Sequence, residues 1–168
     1  HHGHINLIEK ARKYGKIIVG LLTDKAISDH KRLPMLNFKQ RKQIIENLKG
    51  VYKVIPQNEW DYSSNLKKIK PEYMIHGDDW MSGPQLNLRK NAIKVLKSFG
   101  GKLIEVPYTK GVSSTALAEE NKSNFTTSEI RLKTLKRLLD SKTLLRFIET
   151  HNPISAIIAE NVNFKNQN

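Results

Sequence analysis

The chain's 168 residues give room for one domain with a real core and part of another; 38% are apolar, in no run long enough to span a bilayer. The absence of cysteine excludes disulfides and thiolate metal sites, which suits a cytoplasmic protein. A net charge of +13 attracts polyanions, but the basic residues are spread along the chain with few aromatics between them; no nucleic-acid partner is expected, although a basic nucleic-acid-binding fragment stays the alternative of another class.

Ile5, Leu7, Ile8 and Ala11 recur at helical spacing, so an amphipathic helix is expected from about Gly3 to Tyr14, closed by Gly15. The run KIIVGLL (16–22) has the length and continuity of a strand covered on both faces. Residues 23–37 are polar, carry Pro34 and read as a loop. FKQRKQIIENLKG is a helix ending at Gly50, VYKVIP a strand, SSNLKKIK a helical turn or two, and EYMIHG a buried strand. PQLNLRKNAIKVLKSFGG starts with proline in the first turn and ends in paired glycines, as helices prefer, and KLIEVP is the next strand. The order α-β-α-β-α-β-α-β implies an α/β fold with a doubly wound parallel sheet. Such a sheet binds its ligand at the carboxyl ends of its strands.

Three motifs stand where those ends fall: HHGH opening the first helix, HGDDW (76–80) after the third strand, and YTKGVSST (108–115) after the fourth. Each has an ordinary structural reading, as a tag remnant, an Asx-rich turn and an N-cap. His1 and His4 could also start a zinc site, with His76 or Asp78 as the only obvious third ligand.

Taken together and in this order, the motifs resemble the signature of the cytidylyltransferase family, marked by HxGH, GDDW-like and RTxGISTT-like stretches. Within it the chain is most similar to the cytidylyltransferase domains fused to phosphoenolpyruvate mutase in phosphonate-producing microbes. The resemblance implies a Rossmann-like nucleotidyltransferase fold and attack of a phosphate or phosphonate oxygen on the α-phosphorus of CTP, with magnesium present. Negative charge then builds on the transferred group and on pyrophosphate, so positioned donors and cations are required. His1 and His4 match the two family histidines as donors to the transition state, and Gly3 allows close approach of the nucleotide. Lys31 and Arg32 lie where the family carries a phosphate-binding lysine, and Arg41 matches a family arginine. Gly77, Asp78 and Asp79 would line the nucleotide cleft, and Ser113, Ser114 and Thr115 match the hydroxyl run that holds the triphosphate. Tyr108 departs from the family's arginine, and Lys110 is a possible source of the lost charge.

The tail differs. EENKSNFTTSE is a polar linker, and Thr126 with Glu129 resembles a capping box, so a helix is expected from about Thr127 to Asp140. The stretch after it reads as strand, turn and helix, and ETHNPISA resembles the family's E-A-H-N-G-L-S-A at the start of phosphoenolpyruvate mutase. The expected organisation is therefore a cytidylyltransferase-like domain over residues 1–121 and a linker with an incomplete mutase-like segment over 122–168, the start of a truncated TIM barrel that carries no mutase activity. By the resemblance, the residues given are expected to lack the first strand of the nucleotidyltransferase fold, which the family places ahead of HxGH. The mutase resemblance points to 2-aminoethylphosphonate or 2-hydroxyethylphosphonate as acceptor. Glycerol 3-phosphate, phosphocholine and phosphoethanolamine are the alternative acceptors, and the same fold also serves adenylyl transfer. A homodimer is carried over from the family as an expectation.

Overall fold

The computed structural model describes residues 2–107, 127–142, 144 and 147–161. Helix α1 (His2–Ala11) runs into a 3-10 turn at Arg12–Tyr14 and turns at Gly15 into β1 (Ile17–Leu22). Then come α2 (Asp24–Ser28), α3 (Phe38–Glu46), β2 (Val51–Gln57), α4 (Ser63–Ile69) and β3 (Tyr73–Gly77). Two 3-10 turns, Asp78–Trp80 and Gly83–Gln85, lead to α5 (Leu86–Lys97) and β4 (Lys102–Val106). Helices α6 (Ser128–Ser141) and α7 (Pro153–Asn161) complete the described elements.

The strands are parallel, as the alternation requires, but they form two pairs rather than one continuous sheet: β1 with β2 and β3 with β4. Strand β1 departs from the expectation of cover on both faces. Its burial alternates, Ile18 stays 39% exposed, and among the described residues its one ladder partner is β2. The main core lies on the other pair. Leu66, Trp80, Ala92, Val95 and Leu96 form it, with Tyr62, Met74, Leu88, Phe99 and Leu103 packed around them.

Residues 23–37 are not a loop throughout. Thr23 accepts a hydrogen bond from Ala26 N at 3.3 Å and caps α2, whose Ala26, Ile27 and Ser28 are buried. Asn37 and Gln40 exchange bonds of 3.0 Å in a capping box that starts α3. Helix α3 stops at Glu46 rather than at Gly50, with the intervening residues in a turn closed by Val51 N to Leu48 O. The paired glycines after α5 have separate reasons. Gly100 sits at φ 81°, open to glycine at little strain, whereas a Cβ on Gly101 would lie 2.7 Å from the Pro71 carbonyl oxygen.

At the start of α6 the cap is Thr127, one residue later than expected, and its hydroxyl accepts from Ile130 N. The strand expected before α7 does not form at the described positions 144 and 147–150, where Phe147 and Ile148 are 72% and 70% exposed. A lone segment without a neighbouring strand has nothing to pair with. Among the described residues no helix is long and apolar enough to cross a membrane.

Candidate active site

The end of β3 is where most of the chemistry gathers. His76 is the penultimate strand residue, and its ring stacks on the fully buried Trp80 with centroids 3.8 Å apart and planes 15° from parallel. His76 Nδ1 lies 2.8 Å from the Gly77 carbonyl oxygen, which can only accept, so Nδ1 carries the proton. That leaves Nε2 to accept from the Tyr62 hydroxyl at 3.0 Å. Burial, reinforced by the charges of Asp79 and Asp61, pushes the Tyr62 hydroxyl up to about 12, so it remains a donor.

That shift has a consequence for stability. A tyrosine that ionises at its usual value of about 10 in the unfolded chain but near 12 when folded contributes fully below pH 10 and loses that contribution as pH rises towards 12. Urea midpoints measured between pH 9 and 12 should fall by the equivalent of about 2–3 kcal/mol in the wild type. In Tyr62→Phe this alkaline fall should largely disappear.

Trp80 is fixed from its other edge. Its Nε1 donates to Glu105 Oε1 at 2.8 Å, and Arg89 forks onto both oxygens of the same carboxylate at 2.7 and 2.8 Å. The bonds from Arg89 and then Trp80 hold the Glu105 carboxyl below its ordinary range. Trp80 closes the turn that carries Asp78 and Asp79, so the side chain that fills the core also sets the direction of both carboxylates. Asp79 Oδ1 lies 3.8 Å from His76 Nδ1 and remains 44% exposed.

His4, on the first turn of α1, is close enough to Asp79 to feel its charge. Although the residue keeps an accessible edge, loss of water around its ring lowers the imidazole from 6.5, and Asp79 only partly opposes this. His4 is therefore neutral at pH 7, with one ring N–H to donate. Contact between α1 and β3 brings Gly3 and His4 to the same end of the molecule as Gly77, Asp78 and Asp79.

A second group forms after β1 and β2. His30 stacks on Trp60 at 4.8 Å, and Lys31 Nζ sits 5.2 Å from the centre of the Trp60 ring. Arg32 is exposed beside them. Arg41 turns inward: it donates to Leu22 O at 2.9 Å, to Leu36 O at 3.2 Å and to Asp24 Oδ1 at 2.7 Å. Next to Trp60, burial would raise Asp61, but bonds from Ser63 and Asn91 and the charge of Lys67 bring it lower than usual.

Two expected contributors, His1 and the run Ser113, Ser114 and Thr115, lie outside the described residues, as do Tyr108 and Lys110. Among the described residues no three His, Cys, Asp or Glu side chains come together as a metal site; the zinc reading also needed His1, which lies outside them. Tyr62, Glu105 and Arg89 were not foreseen. The one signal in the sequence for this anchor is that the residue directly after the GDD turn, Trp80, is aromatic.

Residues 1–133 match the family described as "Cytidylyltransferase-like". The chain belongs to the cytidylyltransferase-like family. A glycerol-3-phosphate cytidylyltransferase of Bacillus spizizenii (strain ATCC 23059 / NRRL B-14472 / W23) is 30% identical over 122 residues, covering 71% of this chain and 87% of that protein. The enzyme of the same name from Staphylococcus aureus (strain NCTC 8325 / PS 47) is 28% identical over 71% of this chain and 85% of its own length. An FAD synthase of Ferroglobus placidus (strain DSM 10642 / AEDII12DO) is 31% identical over 56% of this chain and 64% of its own length. In fold, the chain is similar to a lipopolysaccharide core biosynthesis protein from Thermoplasma volcanium GSS1, with a TM-score of 0.55 at 22% identity over 66% of this chain and 88% of that one. This cytidylyltransferase-like chain is a nucleotidyltransferase, which accords with the GDD turn falling at the end of β3.

Proposed function

We propose that this chain transfers CMP from CTP to a small phosphorylated acceptor, with a phosphate ester such as glycerol 3-phosphate as the first candidate. The observation that carries the proposal is the approach of His4, at the start of α1, to Asp79, on the turn after β3. It puts a neutral ring donor beside a carboxylate at the edge where nucleotides bind in such folds. The relatives named glycerol-3-phosphate cytidylyltransferase favour a phosphate ester over the phosphonate that the tail suggested.

In the proposed reaction an acceptor phosphate oxygen forms a bond to the α-phosphorus of CTP. The bond from that phosphorus to the bridging oxygen breaks, and pyrophosphate leaves with the electron pair. His4 donates to the oxygens on which charge grows, and Lys31 and Arg32 meet the acceptor's phosphate from the segment after α2. Magnesium, when bound, would neutralise triphosphate charge. Asp78 and Asp79 suit it, because this ion commonly takes one or two protein carboxylates and otherwise water and phosphate.

The test is pyrophosphate release by the whole chain with magnesium, comparing CTP with ATP. Acceptors would be glycerol 3-phosphate, phosphocholine, phosphoethanolamine, 2-aminoethylphosphonate and 2-hydroxyethylphosphonate. Release with CTP and a phosphate ester, falling strongly in Asp79→Asn, is the expected result. Turnover confined to the phosphonates would restore the reading that rests on ETHNPISA. No release with any acceptor and no binding of CTP would overturn the proposal.

A further inference from the structure

We infer that Arg137, on α6, is a positioning residue for the segment that carries Lys31 and Arg32. The helix was expected to open a second segment of the chain, yet its arginine reaches back about a hundred residues. Arg137 Nη1 donates to the carbonyls of Pro34 and Met35, both at 3.0 Å, and Nη2 donates to Leu36 O at 3.4 Å. The same Nη2 donates to Asp24 Oδ2 at 3.2 Å, the carboxylate whose other oxygen receives Arg41. Asp24 is thus gripped by two guanidinium groups, with Arg137, Asp24 and Arg41 all less than a quarter exposed. One turn further along α6, the Ser141 carbonyl accepts from the buried Ser28 hydroxyl at 3.2 Å.

These bonds bracket residues 29–36. Ser28 anchors the near end, and the carbonyls of Pro34, Met35 and Leu36 are held at the far end. Residues 32–34 have no regular secondary structure. A backbone without a ladder takes its shape from side-chain donors, and a planar fork that spans three carbonyls and a carboxylate fits that role where a lysine does not. By fixing the far end, Arg137 sets how Lys31 and Arg32 are presented beside Trp60.

The kinetic part of this inference rests on the proposed function, and the conformational part does not. Trypsin cuts after Lys31 and after Arg32, so the rate of cleavage there under native conditions reads the loop directly. Relative to wild type, Arg137→Ala should be cleaved about tenfold faster at these two bonds, with unchanged far-UV circular dichroism, and Arg137→Lys should fall between the two. In CMP transfer the same variants should raise KM for the acceptor several-fold and leave kcat within about twofold. Should Arg137→Ala not fold, Arg137→Lys carries the test alone. Cleavage at the wild-type rate in a folded variant would overturn the inference whatever the activity. Faster cleavage in a protein that transfers no CMP would uphold the clamp and remove the function instead.

Discussion

Trp80→Ala is expected to lower stability by about 3–5 kcal/mol, the usual cost of emptying a large aromatic site in a packed core. Trp80 has no exposed surface and lies among Leu66, Ala92, Val95 and Leu96, so the space cannot be filled by water without wetting the core. The loss has two further parts. Glu105 is left with Arg89 alone, and His76 loses the ring on which it stacks. A domain's total stability is on the order of 5–15 kcal/mol, so this one change removes a large share of it. Thermal unfolding followed by circular dichroism should shift down by about 10 °C. Trp80→Phe should lose much less, because most of the area stays buried and only the indole N–H is missing. A melting temperature for Trp80→Ala within a degree or two of wild type would show that the packing around α4 and α5 is not what holds the fold.

His4→Ala should reduce the rate of CMP transfer by roughly 10²–10³, the range seen when one donor to a developing negative charge is removed. The residue sits on the first turn of α1 and is not among the buried core residues, so the loss should appear in kcat with thermal stability nearly unchanged. His4→Gln, which keeps an N–H at similar reach, should recover part of the rate. Because loss of hydration holds the imidazole below 6.5, the contribution of His4 should stay level from pH 8 towards 7 and change only in more acidic solution, where the ring gains a second N–H and a charge. A rate for His4→Ala within threefold of wild type would move the donor role elsewhere, to a group such as Lys31.

Much of this molecule was legible as pattern. The eight alternating elements of the α/β part follow from apolar runs and helical spacing, and paralleled strands follow from the helices between them. GDDW was placed correctly at a strand end. What could not be read was anything that joins distant positions. Asp24 and Arg137 stand 113 residues apart, and neither has a sequence context that names the other. Arg41 was matched to a family arginine, and its fork's bonds to Leu22, Leu36 and Asp24 are revealed only by the packing of α3 against the preceding segment. Helix α2 escaped notice because five residues are too few to show a period. The strand looked for ahead of α7 had the right apolar residues, but a strand is a property of a pair.

Both tryptophans of this chain lie against an imidazole: Trp80 on His76 and Trp60 on His30. Indole emission responds to what lies against the ring, so the intrinsic fluorescence of the protein carries two separate reporters. One is embedded in the core beneath the carboxylate turn, and the other stands at the loop that holds Lys31. Ligands that disturb either stack write their arrival into the emission, without any label added to the chain.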